Sequence, residues 1–155
     1  MDIMEMSVEV HWEREGAVFT DKKYSRGHIW RFDGGQVVLA SSSPHVIPLP
    51  YSVEANVDPE EAYIAAISSC HMLTFLGVAA AKRIVVESYT DKAVGIMEKI
   101  DGKILVSRVE LKPLITYDGD KPSAELEAQL HHLAHEQCFI ANSVKTDIQV
   151  VKQHN

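Results

Sequence analysis

The segment from Ala62 to about Lys82 constrains the fold of this chain more than any other. It is apolar on nearly every face of a helix, and small side chains recur along it, which lets neighbouring backbones approach closely. The small residues are Ala62, Ala65, Ala66, Ser69, Gly77 and Ala80. Just before this segment, Asp58 can cap a helix and Pro59 suits the first helical turn. The sequence therefore predicts a long central helix that is buried on all sides.

Polar residues within the same segment argue against a membrane span. Residues 68–71, Ser-Ser-Cys-His, interrupt the apolar run, whereas a span needs about 18 apolar residues in succession. Residues 1–7 lack the basic flank and the apolar run of a secretory signal. We therefore expect a soluble, cytoplasmic protein with no membrane partner.

Composition narrows the class of protein further. The chain has 155 residues, 46% of them apolar and 24% charged, and this size and balance predict a single compact domain over residues 1–155. Asp and Glu number 22 against 15 Lys and Arg, which gives a formal charge of −7. Such a surface repels phosphate on average, so we expect no nucleic-acid partner.

Short alternating segments near the N-terminus predict an antiparallel meander. Val8–Trp12 and Tyr24–Phe32 alternate apolar and polar residues, and form a hairpin in this interpretation. Asp33-Gly34-Gly35 suits a tight turn, after which Val37–Ala40 forms a third strand. Residues 41–57 contain three prolines and four serines, so we expect a loop there.

The C-terminal half combines strands with a second helix. Val85–Met97 and Ile104–Tyr117 are rich in β-formers and are joined by an Asp-Gly step, which predicts a long antiparallel pair. Residues 122–137 have the apolar spacing of an amphipathic helix, and residues 145–152 alternate as a last strand. This order of elements indicates an α+β fold.

The two cysteines are too few for a disulfide framework. Cys70 lies in the apolar helix, and Cys138 lies where the second helix ends, at a predicted transition into a loop. In a compartment that keeps thiols reduced, a disulfide between them would be transient and chemical rather than structural. Taken alone, Cys70 is better explained as a small packing residue and Cys138 equally well so, and that alternative stays open.

Histidines raise the question of a metal site. His131 and His135 are spaced i, i+4 and could clamp an ion from one helical face, but the sequence places no third ligand. We expect a solvated helix face there and no metal. His71, next to Cys70, is expected to pack or to contact a loop rather than to act as a base.

The residues around Cys70 resemble a known signature. Val57–His71, with a Pro-Glu helix start ten residues before the cysteine, resembles the signature of the OsmC/Ohr family of osmotically inducible and organic hydroperoxide resistance proteins. Tyr24–His28 with Phe32–Gly35, and Glu136–Phe139 with Asn142, resemble flanking segments of that family. The similarity covers about residues 7–152. It implies antiparallel sheets packed around a long buried central helix, in an intertwined homodimer.

The resemblance also implies a role for each matching residue. Cys70 would be the peroxidatic thiol, Cys138 the resolving thiol, Arg26 the cation beside the thiolate, and Glu60 the partner of that arginine. A guanidinium favours the ionised thiol that attacks a peroxide. The implied activity is reduction of organic hydroperoxides by a cysteine-based peroxidase without a cofactor. An external dithiol would regenerate the enzyme, and in the better-known branch of the family this is a protein-bound lipoyl group.

The choice of arginine rests on position. Arg14 and Arg31 lie on the same N-terminal meander as Arg26. The spacing of Arg26 to His28 and to the Asp-Gly turn favours Arg26 as the arginine beside the thiolate. In a regular strand Arg26 shares a face with His28 and Trp30 and lies opposite Arg31.

The ten-residue offset between Glu60 and Cys70 has a geometric consequence. An α-helix rises about 1.5 Å per residue, so the two residues lie about 15 Å apart along a straight helix. For both to act at one centre, Glu60 must come from a second copy with an antiparallel helix, or the helix must break between them. The first alternative agrees with an intertwined dimer.

A rival interpretation needs no redox chemistry. The same dimer could be a non-catalytic binding module that holds a small hydrophobic ligand at the subunit interface, with both cysteines inert. A disulfide-exchange or acyl-transfer role for Cys70 ranks lower, because no histidine is evidently placed as its base.

Overall fold

The structure, a computed structural model, describes residues 2–152. The chain divides into two compact units, residues 1–62 and residues 63–155. A long helix begins at the end of the first unit and continues into the second. The single domain expected over the whole chain stays a prediction.

The N-terminal unit contains the predicted meander. Strands β1 (Val8–His11), β2 (His28–Phe32) and β3 (Val37–Ala40) form an antiparallel sheet in the order β1-β2-β3. The second strand begins four residues later than predicted, at His28 instead of Tyr24. The reason is that the Arg26 N–H donates to the carbonyl of Tyr51, 2.9 Å away, and so is bound to a loop rather than to a strand.

Residues 41–57 form the predicted loop, and side chains hold it in place. The Val53 N–H donates to the Ser41 hydroxyl at 2.9 Å, and the Asn56 amide donates to the Ala40 carbonyl at 3.1 Å. Ser41 and Ser52 are both buried. The loop is therefore packed by its own polar residues.

Helix α1 spans Pro59–Ala81 and starts as predicted. The Asp58 N–H donates to the Glu61 carboxylate at 2.9 Å, and the Glu61 N–H donates to the Asp58 carboxylate at 2.8 Å. This reciprocal arrangement is a capping box that satisfies two donors at the helix start. By length and a mean hydropathy of 1.7, α1 could cross a membrane, but the core helix of a soluble protein meets the same criteria.

The prediction that α1 is buried on all sides is wrong for the single chain. The buried residues form one stripe at four-residue spacing, which consists of Ile67, His71, Phe75 and Ala79. Leu73, on another face, is 62% exposed, and Ala66 and Gly77 are exposed as well. One chain provides a packing layer for only one side of this helix.

The second unit contains two sheets instead of one long antiparallel pair. Strand β4 (Val85–Asp91) pairs with β7 (Pro113–Asp118), and β5 (Val94–Ile100) pairs with β6 (Lys103–Leu111). β8 (Asp147–Val150) then joins β6 in parallel.

Asp91 lies at the break between these sheets. Its carboxylate accepts the Lys112 N–H at 2.6 Å and also the Ser68 hydroxyl of α1. The long strands predicted from the sequence are therefore interrupted where this side chain binds the backbone.

Two helices lie between β7 and β8. Helix α2 spans Ala124–Gln137 and is capped by Ser123, whose hydroxyl accepts the Leu126 N–H at 3.1 Å. The short helix α3 (Phe139–Ser143) was not predicted. The main buried cluster of this unit joins α1 to α2 and consists of Phe75, Ala79, Leu130 and Ala134. The predicted α+β class is confirmed.

Candidate active site

The second unit contains both cysteines. Cys70 lies on α1 and is half-buried, and Cys138 is 1% exposed at the junction of α2 and α3. Both are free thiols. Cys138 follows the second helix, as predicted, but it caps the start of the short helix α3 instead of leading into a loop.

The Cys138 thiol has two neighbours that define its chemistry. Its sulfur accepts the Ala141 N–H at 3.4 Å and so caps α3. Burial raises the pKa of Cys138, a hydrogen bond to Cys70 raises this pKa further, and the Ala141 N–H opposes both effects. Cys138 therefore stays protonated at neutral pH, and the Cys70 side chain is close enough to affect its pKa.

Arg26 lies in the N-terminal unit, in the loop just before β2. Its Nη1 donates to the carbonyls of Lys22 at 2.9 Å and Tyr24 at 2.6 Å. The guanidinium carbon lies 3.7 Å from the centroid of the Tyr24 ring. Among residues 2–152, the other guanidinium nitrogens make no hydrogen bond, so they remain available to a ligand.

The other two candidate arginines are engaged elsewhere. Nη1 of Arg31 lies 2.6 Å from the Glu9 carboxylate in an exposed ion pair. Arg14 donates to the Ala17 carbonyl at 2.8 Å. The choice of Arg26 among the three candidates stays a prediction. The alternation of side chains along a strand does not determine which way Arg26 points, because Arg26 lies outside β2.

An aromatic pocket beside Arg26 was missed at the level of sequence. This cavity of about 390 Å³ is lined by Trp12, Phe19 and Tyr24 together with Arg26. The ring centroids are 4.6 Å apart for Phe19 and Tyr24 and 5.5 Å apart for Trp12 and Tyr24. The signal in the sequence was the three aromatic residues in the fourteen positions before Arg26.

Glu60 is the second residue of α1 and is half-buried. Among residues 2–152 no ion pair joins Glu60 to Arg26. Because α1 is continuous from Pro59 to Ala81, the alternative in which the helix breaks between Glu60 and Cys70 is wrong. An arginine pairing of Glu60 across a dimer stays a prediction.

The expectation of a solvated helix face at His131 is wrong. His131 is only 8% exposed, and its Nδ1 lies 3.0 Å from Nε2 of the equally buried His71. Burial, followed by His131 and His135, lowers the pKa of His71 to about 4, and burial also lowers the pKa of His131. Both rings are therefore neutral at pH 7. His135 is exposed, as predicted.

The packing of His71 and the absence of a metal site complete the description of this histidine pair among residues 2–152. His71 packs in the core of the second unit, which confirms that expectation. Its Nδ1 is buried without a hydrogen-bond partner among residues 2–152. Within the same residues no group of three His, Cys, Asp or Glu side chains has the proximity of a metal site.

Comparison with known proteins identifies relatives of this chain. The family model for OsmC-like protein matches residues 53–152. A structure of an OsmC-like protein of unknown function from Vibrio cholerae is 55% identical, with a TM-score of 0.94 over 97% of this chain and 100% of that one. No functionally curated protein shows significant similarity.

More distant structures share the fold alone. An organic hydroperoxide resistance protein from Elizabethkingia anophelis is 16% identical, with a TM-score of 0.74 over 99% of both chains. An organic hydroperoxide resistance protein OsmC from Legionella pneumophila is 14% identical, with a TM-score of 0.72 over 99% of this chain and 100% of that one. From the family model and the Vibrio cholerae relative, the chain belongs to the OsmC-like family.

Proposed function

We propose that this protein is a cytoplasmic thiol peroxidase that reduces organic hydroperoxides to alcohols. The observation that carries the proposal is the proximity of the two cysteines: Cys138 is the buried, protonated thiol, and the Cys70 side chain is close enough to raise its pKa. Such a thiol can donate to the Cys70 sulfur and leaves the attack on peroxide to Cys70. Membership of the OsmC-like family and the names of the Elizabethkingia and Legionella proteins support this class of activity.

The proposed reaction has two chemical steps. The Cys70 thiolate attacks the distal oxygen of the hydroperoxide, the O–O bond breaks, and the leaving alkoxide takes a proton to give the alcohol. Cys70 is then a sulfenic acid. Cys138 attacks its sulfur, which forms the Cys70–Cys138 disulfide and releases water. An external dithiol reduces this disulfide by exchange and is itself oxidised to a disulfide.

Arg26 and Glu60 are proposed to prepare the thiol for attack. A guanidinium beside Cys70 favours the thiolate and can donate to the peroxide oxygens through nitrogens that are unused within residues 2–152. Glu60 of a second subunit would orient that guanidinium by a bidentate contact. The uncovered face of α1, with Leu73 62% exposed, supports a homodimer that brings a second copy close.

Stopped-flow kinetics with cumene hydroperoxide tests the proposal. Wild type should consume one equivalent rapidly, and Cys70→Ser should react no faster than a free thiol in solution. Cys138→Ser should complete the first step and accumulate a sulfenic acid that dimedone traps at Cys70. Equal, slow rates for wild type and Cys70→Ser would overturn the assignment.

A dimeric binding module is the second candidate, and the aromatic pocket favours it. A cavity of about 390 Å³ lined by three aromatic rings suits a small hydrophobic ligand, whatever the cysteines do. The two functions differ in the need for Cys70. A binder would retain ligand affinity in Cys70→Ser and would consume no peroxide in either form.

A further inference from the structure

The second unit has a separate cavity that the proposed reaction does not use. Its volume is about 530 Å³, within the range of small-molecule sites, and it lies between α2 and strands β7 and β8. Ile115 and Ile148 contribute an apolar wall, and His131 contributes a buried polar group. The cavity therefore has both surfaces that an amphipathic ligand needs.

His131 is built into this cavity rather than placed at its rim. Its ring is 8% exposed, and its Nδ1 is bound to Nε2 of His71 at 3.0 Å. Among residues 2–152, Nε2 of His131 makes no hydrogen bond. This nitrogen is consequently left for an occupant of the cavity.

The buried neighbour decides which hydrogen-bonding role Nε2 of His131 plays. Nδ1 of His71 is buried without a partner, and a bare lone pair there costs less than an unpaired N–H. His71 then carries its proton on Nε2 and donates to Nδ1 of His131. His131 must carry its own proton on Nε2, so the cavity presents a donor.

The charges around the cavity favour an anion. Lys121 and Lys152 both line it, against one lining carboxylate, Glu127, which accepts the Tyr117 hydroxyl at 2.7 Å. Asp91 lies outside the lining, also acts on the His131 ring, and is bound to Ser68 and to the Lys112 N–H. The exposed His135 is a further lining group, and the exposed His132 is paired with Glu136 at 3.0 Å. The two lysines of the cavity lining outnumber its one carboxylate, although the whole chain has a formal charge of −7.

We propose that this cavity binds a small amphipathic carboxylate of the medium-chain fatty acid class. The carboxylate accepts from Nε2 of His131 and is attracted by Lys121 and Lys152. The hydrocarbon chain lies on the apolar wall of Ile115 and Ile148. Binding is non-covalent and leaves both cysteines unchanged, so it is independent of the peroxidase proposal.

Calorimetric titration with sodium octanoate tests the site. The reduced protein should bind one octanoate per chain, and 1-octanol should bind about 10-fold more weakly because it lacks the charge. Lys121→Met should weaken octanoate binding about 3- to 10-fold, whereas Lys145→Met, an exposed lysine outside the cavity, should not. Ala128→Phe should fill the cavity and abolish binding. Cys70→Ser should bind like wild type.

Two results would overturn the proposal. One is the absence of saturable octanoate binding to wild type, and the other is binding that neither Lys121→Met nor Ala128→Phe weakens. Nitrogen-15 NMR of the histidine rings gives a second test. We expect His71 and His131 both to carry their proton on Nε2, and a bare Nε2 on His131 would contradict the proposed donor.

Discussion

The chemistry of this protein depends on how single side chains are buried. Cys70 and Cys138 differ in that only Cys138 is fully buried and caps a helix. The sequence predicted both positions through a family signature. It did not predict the capping role of Cys138, because that depends on the short helix α3, whose five residues carry no clear helix signal. The burial of His131 was also missed, because a histidine on a helix gives no indication of a buried partner sixty residues away.

The pH dependence of Cys138 modification follows from its environment. Because its pKa is raised, the reactive thiolate forms only at higher pH than for an ordinary cysteine. Alkylation by iodoacetamide, followed by peptide mass spectrometry across pH 7 to 10, should give a Cys138 midpoint above that of a free cysteine peptide. A midpoint at or below the free thiol would contradict a protonated resolving cysteine.

The lowered pKa of the buried His71 should make the folded protein less stable in acid. Its pKa is about 4 in the folded protein and about 6.5 in the unfolded chain, so only the unfolded chain gains this proton between those values. The free energy of unfolding should fall by on the order of 3 kcal/mol from this group as the pH falls from 7 to 4. Urea unfolding of wild type and of His71→Leu measures the difference.

The control for this prediction is His45→Gln. His45 is exposed and its side chain makes no ion pair among residues 2–152, so its replacement should not alter the acid sensitivity of unfolding. A His71→Leu protein with the same acid sensitivity as wild type would show that the buried pair does not set it.

At the scale of elements, local signals predicted the two longer helices and missed the sheet break. The cap at Asp58, which the sequence predicted, defines the start of α1, and Ser123 caps the start of α2. The break at Asp91 was not visible, because it results from hydrogen bonds to Lys112 and to Ser68. Such contacts join residues that are about twenty positions apart in the chain.

Gly95 tests the packing of β5 against α1. A Cβ at this position would overlap the Ile64 side chain, so Gly95→Ala should destabilise the protein by about 1–3 kcal/mol. The double variant Gly95→Ala with Ile64→Val, which removes the colliding methyl group, should recover part of this loss. Gly34→Ala, where a Cβ meets nothing within 4 Å, is the control. A Gly95→Ala protein as stable as wild type in urea unfolding would contradict this close approach.

At the scale of the whole molecule, α1 is the element that the single chain leaves incomplete. The sequence predicted a helix buried on every side, and one chain buries only the stripe that contains His71 and Phe75. The prediction and the single chain differ for a physical reason. An apolar surface indicates that a helix face is covered, but not whether the same chain or a second one covers it. The proposed homodimer would cover the remaining faces.

Leu73→Lys tests this proposal for the assembly. A charge at this position, which is 62% exposed in the single chain, should prevent close association through α1. Light scattering with size-exclusion chromatography should then give a monomer, with peroxidase activity lowered at least 10-fold because Glu60 of the second subunit is lost. Glu125→Lys, an exposed charge change on α2, should remain dimeric. A dimeric, active Leu73→Lys protein would contradict an interface at this face.

The intact mass and the free-thiol count after one equivalent of cumene hydroperoxide decide whether the two cysteines carry out the proposed reaction. We expect each chain to lose two hydrogen atoms and both free thiols, and peptide mapping to find one disulfide joining Cys70 to Cys138 within a chain. An unchanged mass with both thiols free would contradict a peroxidase built on this pair of sulfurs.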